Sequence, residues 1–461
     1  MLKELWMFWK GCLNMWRRRK TLGVGQVNKT PTFKEIVKQR AETNYPAQFE
    51  KIRELNDKYH AYIHVFRNLL RRRDFRKRPL HGVSLAVKDV FHIKGYVTTA
   101  GSKTYRVKAK ITAEVVERLL DAGAVVNGKT NLHEFAFGVS NKNPHFGDCV
   151  NPYSDKHVSG GSSGGSAVAV ALGMCDAALG TDTAGSVRIP ASFCGVVGFK
   201  PTQHLISRRG VFPLSWSLDH VGFLTKSVWD AACLFSACLD GLAKPLDIRP
   251  RNLKGLKIGV PSSYFLDHLH DDVRANFEDA MERAASEGCV VKYVKVEGVK
   301  LAAHARFIIA FSEAAALHLT LSRGKMQDYS EEVRSRIVGG LSIPASVYIN
   351  ALKSRKKMTQ EFRRVFKQCD VVALPTTIIP AHRLDEEKIN VQGEEYDVRT
   401  ASLKNTEVFN FFAVPAISIP NGFTKDGLPT GLQLVADAGS DLELLRTAYA
   451  FEKLLGAQPP L

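Results

Sequence analysis

The chain has no C-x-x-C pair and no cysteine and histidine spacing of the kind that holds a metal. Its eight cysteines (Cys12, Cys149, Cys175, Cys194, Cys233, Cys238, Cys289 and Cys369) are scattered singly through 461 residues. That excludes zinc-ribbon and dithiol redox chemistry and predicts buried free thiols in a reducing compartment. Long apolar runs are missing as well. Residues 1–16 are apolar and aromatic but are interrupted by Lys3, Glu4 and Lys10, so they are too short and too charged to span a bilayer. Arginines follow that stretch where a signal peptide would carry its cleavage region. Internal repeats and low-complexity tracts are absent, which excludes solenoids and disordered scaffolds. Acidic residues are few, 46 against 64 basic ones, for a net charge of +18. The excess clusters at Arg17-Arg18-Arg19-Lys20, at Arg71-Arg72-Arg73 and at Arg76-Lys77-Arg78, with no aromatic-interleaved RNA signature. A solvated basic face is therefore expected, and no nucleic-acid partner.

What is present is an alternation of short apolar runs and helical patterns. Val83–Val87, Ala124–Asn127, Lys257–Val260, Val290–Val294 and Val371–Leu374 read as strands. Phe33–Arg73 reads as two helices, because Ile36, Val37, Phe49, Ile52, Leu55, Tyr59, Tyr62, Val65, Phe66 and Leu69 recur at three-and-four spacing. Ala113–Gly123 and Asp271–Glu287 read as helices, and Glu331–Phe366 as helices broken near Gly339-Gly340 and Pro344. This alternation implies an α/β layered fold. Residues 1–32 form an apolar and basic tail, and 33–461 a single domain whose softest joint is Leu242–Leu256. Two readings of residues 1–20 stand side by side: an interfacial helix at an anionic membrane, or a tail that packs on the body or a partner or belongs to an upstream start codon.

The chemistry concentrates in Val158–Thr202, VSGGSSGGSAVAVALGMCDAALGTDTAGSVRIPASFCGVVGFKPT. Two glycine-and-serine clusters, Gly160–Ser166 and Gly180–Ser186, flank an apolar small-residue segment. Thr181, Asp182 and Thr183 are the polar residues that would brace the second turn. A phosphate-binding loop is disfavoured because the glycines are not followed by Gly-Lys-[Ser/Thr]. Gly161-Ser162-Ser163-Gly164-Gly165 fits the G-x-S-x-G elbow with Ser163 as nucleophile, but no apolar strand precedes it. Lys88, at the end of the buried run Val83–Val87, is the other unusual residue, since burial disfavours its charge. Asp89 follows it, but successive side chains of a strand face opposite ways, so the two need not pair.

These residues carry a resemblance. The segment Gly160–Thr202 resembles the signature of the amidase signature family, and PLHGVSLAVKD (Pro79–Asp89), TTAGS (Thr98–Ser102), Ser217-Leu218-Asp219, DVVALPT (Asp370–Thr376) and Asn410–Leu434 are similar to its other landmarks. The resemblance covers about residues 35–455. It implies a large mixed, twisted β-sheet surrounded by α-helices, and amide hydrolysis through a Ser-Ser-Lys triad with an acyl-enzyme intermediate. In it Ser186 is the nucleophile, Ser162 the bridging serine on a cis peptide bond, and Lys88 the base. Backbone N–H groups of Thr183, Ala184, Gly185 and Ser186 form the oxyanion hole, with Ala184 standing where the family usually has glycine. Asp182 and Arg188 brace the turn, His81, His133 and His220 are ordinary polar residues, and neither metal nor cofactor is implied.

The expected substrate is a small-molecule amide, in the cytoplasm or at a membrane periphery, and a homodimer is allowed. The leading expectation is a stand-alone amidase. The alternatives are the glutaminase subunit of a tRNA-dependent amidotransferase and a non-catalytic binding protein on the same fold. Leu403 stands where that subunit has an aspartate for the glutamine ammonium, which weighs against it.

Overall fold

The apolar runs pair into one eleven-stranded mixed sheet in the computed structural model, which describes residues 45–73, 78–239, 248–322 and 324–456. In chain order its strands are β1 (Tyr62–Leu70), β2 (Ser84–Lys88), β3 (Val125–Thr130), β4 (Ala177–Asp182), β5 (Val197–Lys200), β6 (His220–Thr225), β7 (Lys257–Pro261), β8 (Val290–Val294), β9 (Val371–Pro375), β10 (Ala416–Phe423) and β11 (Pro429–Val435). Their spatial order is β1-β3-β2-β4-β6-β5-β10-β11-β9-β7-β8. The pairs β2·β3, β2·β4, β7·β8 and β7·β9 are parallel and the rest antiparallel. β2, β3, β4, β6 and β11 are buried along their whole length. Strands covered on both faces tend to read as continuous apolar runs, which is why β2 stands out in the sequence.

Helices cover the sheet. Gly164–Ala171, all of it buried, packs on β2, β4 and β6, and Arg188–Phe193 packs on β5, β10 and β11. Val228–Ala237 and Asp441–Leu455 pack together over β10 and its neighbours. No helix among the described residues is long and apolar enough to cross a membrane. Seven of the eight cysteines are buried free thiols. Cys12, the tail 1–32 with its membrane reading, and the first part of the expected joint at Leu242–Leu256 lie outside the described residues.

Two expectations are corrected. Of the first helical stretch, residues 33–44 lie outside the described ones; Tyr45–Tyr59 is helical, and Tyr62–Leu70 is β1, antiparallel to β3. Register irregularities between Tyr62 and His64 and between Val65 and Leu70 break the two-residue alternation. Tyr62 and Phe66 are its buried residues, each in a different cluster of the core. Further on, Gly339-Gly340 does not break the chain. Glu331–Leu341 runs through both glycines, and the break falls at Ser342–Pro344, before the helix Ala345–Arg363. A Cβ on Gly340 would lie 2.3 Å from the carbonyl oxygen of Phe311, so the glycine serves close packing against the helix Val299–Leu321.

Candidate active site

Parallel pairing of β2 with β4, Val87 opposite Leu179, brings Lys88 beside the end of β4. Lys88 is fully buried. Its Nζ lies 2.7 Å from Ser162 Oγ, 2.9 Å from Ser163 Oγ and 2.9 Å from Thr181 Oγ1. Burial lowers its pKa from the usual lysine value to about 7, against the pull of Asp182 and Asp219. Near neutrality a large fraction of Lys88 is thus uncharged. A neutral amine has two N–H bonds and one lone pair, so one of the three hydroxyls must donate to it. Ser163 Oγ donates instead to the carbonyl of Thr181 at 3.2 Å. That leaves Ser162, the nearest of the three, and Thr181 as donors to the lone pair.

The Gly161–Ser162 peptide bond is cis. The next residue ties the two glycine-rich turns together, for Ser163 N–H donates to the carbonyl of Ser186 at 3.1 Å. No hydrogen bond joins the hydroxyls of Ser162 and Ser186 among the described residues. Lys88 and Ser162 are therefore in direct contact, and Ser186 stands on the facing turn.

That turn is held from within. Asp182 accepts from Gly185 N–H at 2.8 Å and from Val187 N–H at 3.1 Å, and pairs with Arg188 through Nη2 at 2.9 Å and Nε at 3.0 Å. Burial alone would raise the Asp182 pKa, but the Arg188 guanidinium holds it well below the usual carboxylate range. Arg188, also fully buried, donates to Thr406 O, Gln433 Oε1 and Asn410 Oδ1. One expectation narrows as a result. The Gly185 N–H is engaged by Asp182, whereas those of Thr183, Ala184 and Ser186 have no partner among the described residues. Gly185 has φ +136°, and a Cβ there would lie 2.2 Å from Thr406 Oγ1.

An apolar wall adjoins the turn. Val139, Val158, Ile189, Phe193, Ala381 and Leu403 form a buried cluster against which Ala184 and Leu384 pack. Thr406 Oγ1 donates to Ala184 O at 2.7 Å and lies 3.1 Å from Leu403 O, so Leu403 borders the site. The histidines are engaged elsewhere. His133 Nε2 lies 3.2 Å from Glu332, and His220 Nδ1 lies 2.7 Å from Leu218 O with burial and Lys200 lowering its pKa. Asp89 pairs with buried Lys129 and not with Lys88.

Sequence reasoning gives no role to Asp219, Thr406, Asn410 or Gln433. Thr181, expected to brace the turn, faces Lys88 instead.

A fully buried lysine in hydrogen-bond contact with two serine hydroxyls and a threonine hydroxyl thus lies where the parallel strands β2 and β4 end. The chain belongs to the amidase family, whose model, described as Amidase, matches residues 47–445. It is 38% identical over 411 residues to a glutamyl-tRNA(Gln) amidotransferase subunit from Methanosarcina mazei, covering 81% of this chain and 85% of that protein. Among solved structures, the corresponding subunit from Thermotoga maritima is 33% identical with a TM-score of 0.79, covering 93% of this chain and 96% of that one. A chain from a vestigial protein complex tied to the origins of an s-triazine catabolic enzyme is 30% identical with a TM-score of 0.84, covering 93% and 98%.

Proposed function

We propose that the protein hydrolyses a carboxylic amide with Ser186 as nucleophile, Ser162 as proton relay and Lys88 as base. The observation that carries this is the 2.7 Å contact between Lys88 Nζ and Ser162 Oγ in a fully buried setting. Neutral Lys88 takes the Ser162 proton while Ser162 takes that of Ser186, a hydrogen bond of the sort that tightens when substrate binds. Ser186 Oγ then bonds to the carbonyl carbon, and the oxygen that gains the π electrons is met by the N–H groups of Thr183, Ala184 and Ser186. As the C–N bond breaks, the proton returns through Ser162 to the leaving nitrogen. Water then cleaves the acyl-enzyme ester.

Two finer readings divide on the substrate. The relatives favour the glutaminase subunit of a tRNA-dependent amidotransferase over the stand-alone amidase that the sequence led us to expect. One observation favours the stand-alone reading: Leu403 and Ala184 share an apolar cluster, which offers no anion to the ammonium of glutamine. Either reading fits a protein of the cytoplasm.

Intact-mass measurement after fluorophosphonate treatment tests the chemistry. One adduct on Ser186 is expected, and an adduct elsewhere on an active enzyme refutes the assignment. Hydrolysis of glutamine and of an apolar primary amide, each with and without the other amidotransferase subunits, separates the finer readings. Glutamine turnover only with those subunits supports the first, and unassisted turnover of the apolar amide supports the second.

A further inference from the structure

Two carboxylates act on Lys88, Asp182 and Asp219, and their situations differ. Asp182 is neutralised locally by its two-point pairing with Arg188 and by Gly185, Val187 and Asn410. Asp219 has no ion pair among the described residues. Its Oδ1 accepts from Thr183 Oγ1 at 2.6 Å, and its Oδ2 from the backbone N–H groups of Leu214 at 2.9 Å and Ser215 at 3.1 Å.

The sheet explains the placement. β6 runs antiparallel to β4 with His220 opposite Asp182, so the residue before His220 lies beside the residue after Asp182. Asp219 thereby reaches Thr183, the first residue of the turn that ends in Ser186. We propose that Asp219 is a positioning residue: it holds Thr183 at the head of this turn and adds a negative charge that has no ion-pair partner of its own among the described residues. The proposal rests on the reading of Lys88 as base.

Other charged groups around Asp219 do not cancel it. Arg208, from the loop before β6, lowers its pKa only as the last of several influences. His220 is held neutral by burial, and Glu313, across Ser215, is occupied by Ser215, Ser217 and Tyr348. Burial raises the Asp219 pKa to about 6, against those hydrogen bonds, while Lys88 lies near 7. The hydrogen bonds from Thr183, Leu214 and Ser215 favour the ionised form of Asp219. An anion favours the protonated lysine, so Asp219 holds the base at a higher pKa than burial alone would set.

The substrate is unidentified, so the readout is the rate at which a fluorophosphonate acylates Ser186, followed against pH in the full-length protein. In Asp219→Asn the amide oxygen still accepts from Leu214 and Ser215, and the amide N–H can donate to Thr183, whose hydroxyl turns from donor to acceptor. Removing the charge should move the acid limb to lower pH, by roughly half a unit or more for a close carboxylate. Thr183→Val removes the tether and should lower the plateau rate by up to about 100-fold through misplacement of the turn. An unmoved or upward-moved limb in Asp219→Asn overturns the charge role, and a wild-type plateau in Thr183→Val overturns the tether. If Asp219→Asn does not fold, the tether arm still decides whether Asp219 positions the turn. Lys88→Ala separates the premise: a wild-type acid limb in that variant refutes the base itself, whatever Asp219 does.

Discussion

Arg188→Ala removes the guanidinium that compensates Asp182. Both side chains are fully buried, and Arg188 makes five hydrogen bonds, two to Asp182 and one each to Thr406, Gln433 and Asn410. Breaking a buried pair from one side costs about 3–5 kcal/mol, because the charge left behind is unpaired in a dry setting. The unfolding entropy is about 2.1 cal/mol/K per residue, so a body of roughly 400 residues has about 0.8 kcal/mol/K. Tm should therefore fall by roughly 4–6 °C at neutral pH.

The pH dependence fixes the mechanism. In the wild type the Asp182 pKa is depressed in the folded state, so its contribution is present above the unfolded value and is lost as pH falls through the folded one. In Arg188→Ala burial raises that pKa instead. The orphaned charge then costs stability above the new folded value, and the cost is relieved as acid protonates it. The Tm gap between wild type and variant should narrow from pH 7 to pH 5 in calorimetry. Acylation of Ser186 by a fluorophosphonate should slow in parallel, since Asp182 holds Gly185 and Val187 on either side of Ser186. Adding Asp182→Asn to the variant should restore part of the stability and none of the labelling. A variant whose Tm gap is absent, or constant across that pH range, would refute the argument.

Ser162→Ala removes the hydroxyl at 2.7 Å from Lys88, whereas Ser163→Ala removes one whose proton is already directed at Thr181 O. Hydrolysis should drop by about 100-fold or more in the first, and the second should mainly lose about 1 kcal/mol of stability; greater catalytic damage at Ser163, read as kcat/KM beside Tm, assigns the relay to the wrong serine. Gly185→Ala should abolish labelling and lower Tm, because its φ of +136° is closed to alanine and the added Cβ would overlap Thr406 Oγ1. Removing the obstructing hydroxyl with Thr406→Ala should rescue neither, since the backbone angle is untouched; a soluble Gly185→Ala enzyme with wild-type labelling contradicts this account.

The sequence by itself determined the parts that are local. A strand buried on both faces must be apolar along its length, so β2, β7 and β9 were legible, and with β2 came Lys88 at its end. The two glycine-and-serine turns were legible for the same reason, because a chain that must turn sharply and bring its backbone close to other groups is confined to such residues. Where the local rule was broken, the reading failed. The irregular register of β1 breaks the two-residue alternation, with Tyr62 and Phe66 sunk into different clusters of the core, and Gly340 lies inside a helix because a neighbouring backbone comes within 2.3 Å of its missing Cβ.

Only the tertiary structure decided which distant groups meet. Arg188 finds its partners 218, 222 and 245 residues away in Thr406, Asn410 and Gln433. Asp219 reaches Thr183 through the antiparallel register of β4 and β6, and Leu403 joins Ala184 through packing across the sheet's helical cover. None of these pairings leaves a period or a spacing in the chain. They follow from strand order and burial, which a linear pattern of residue types does not contain.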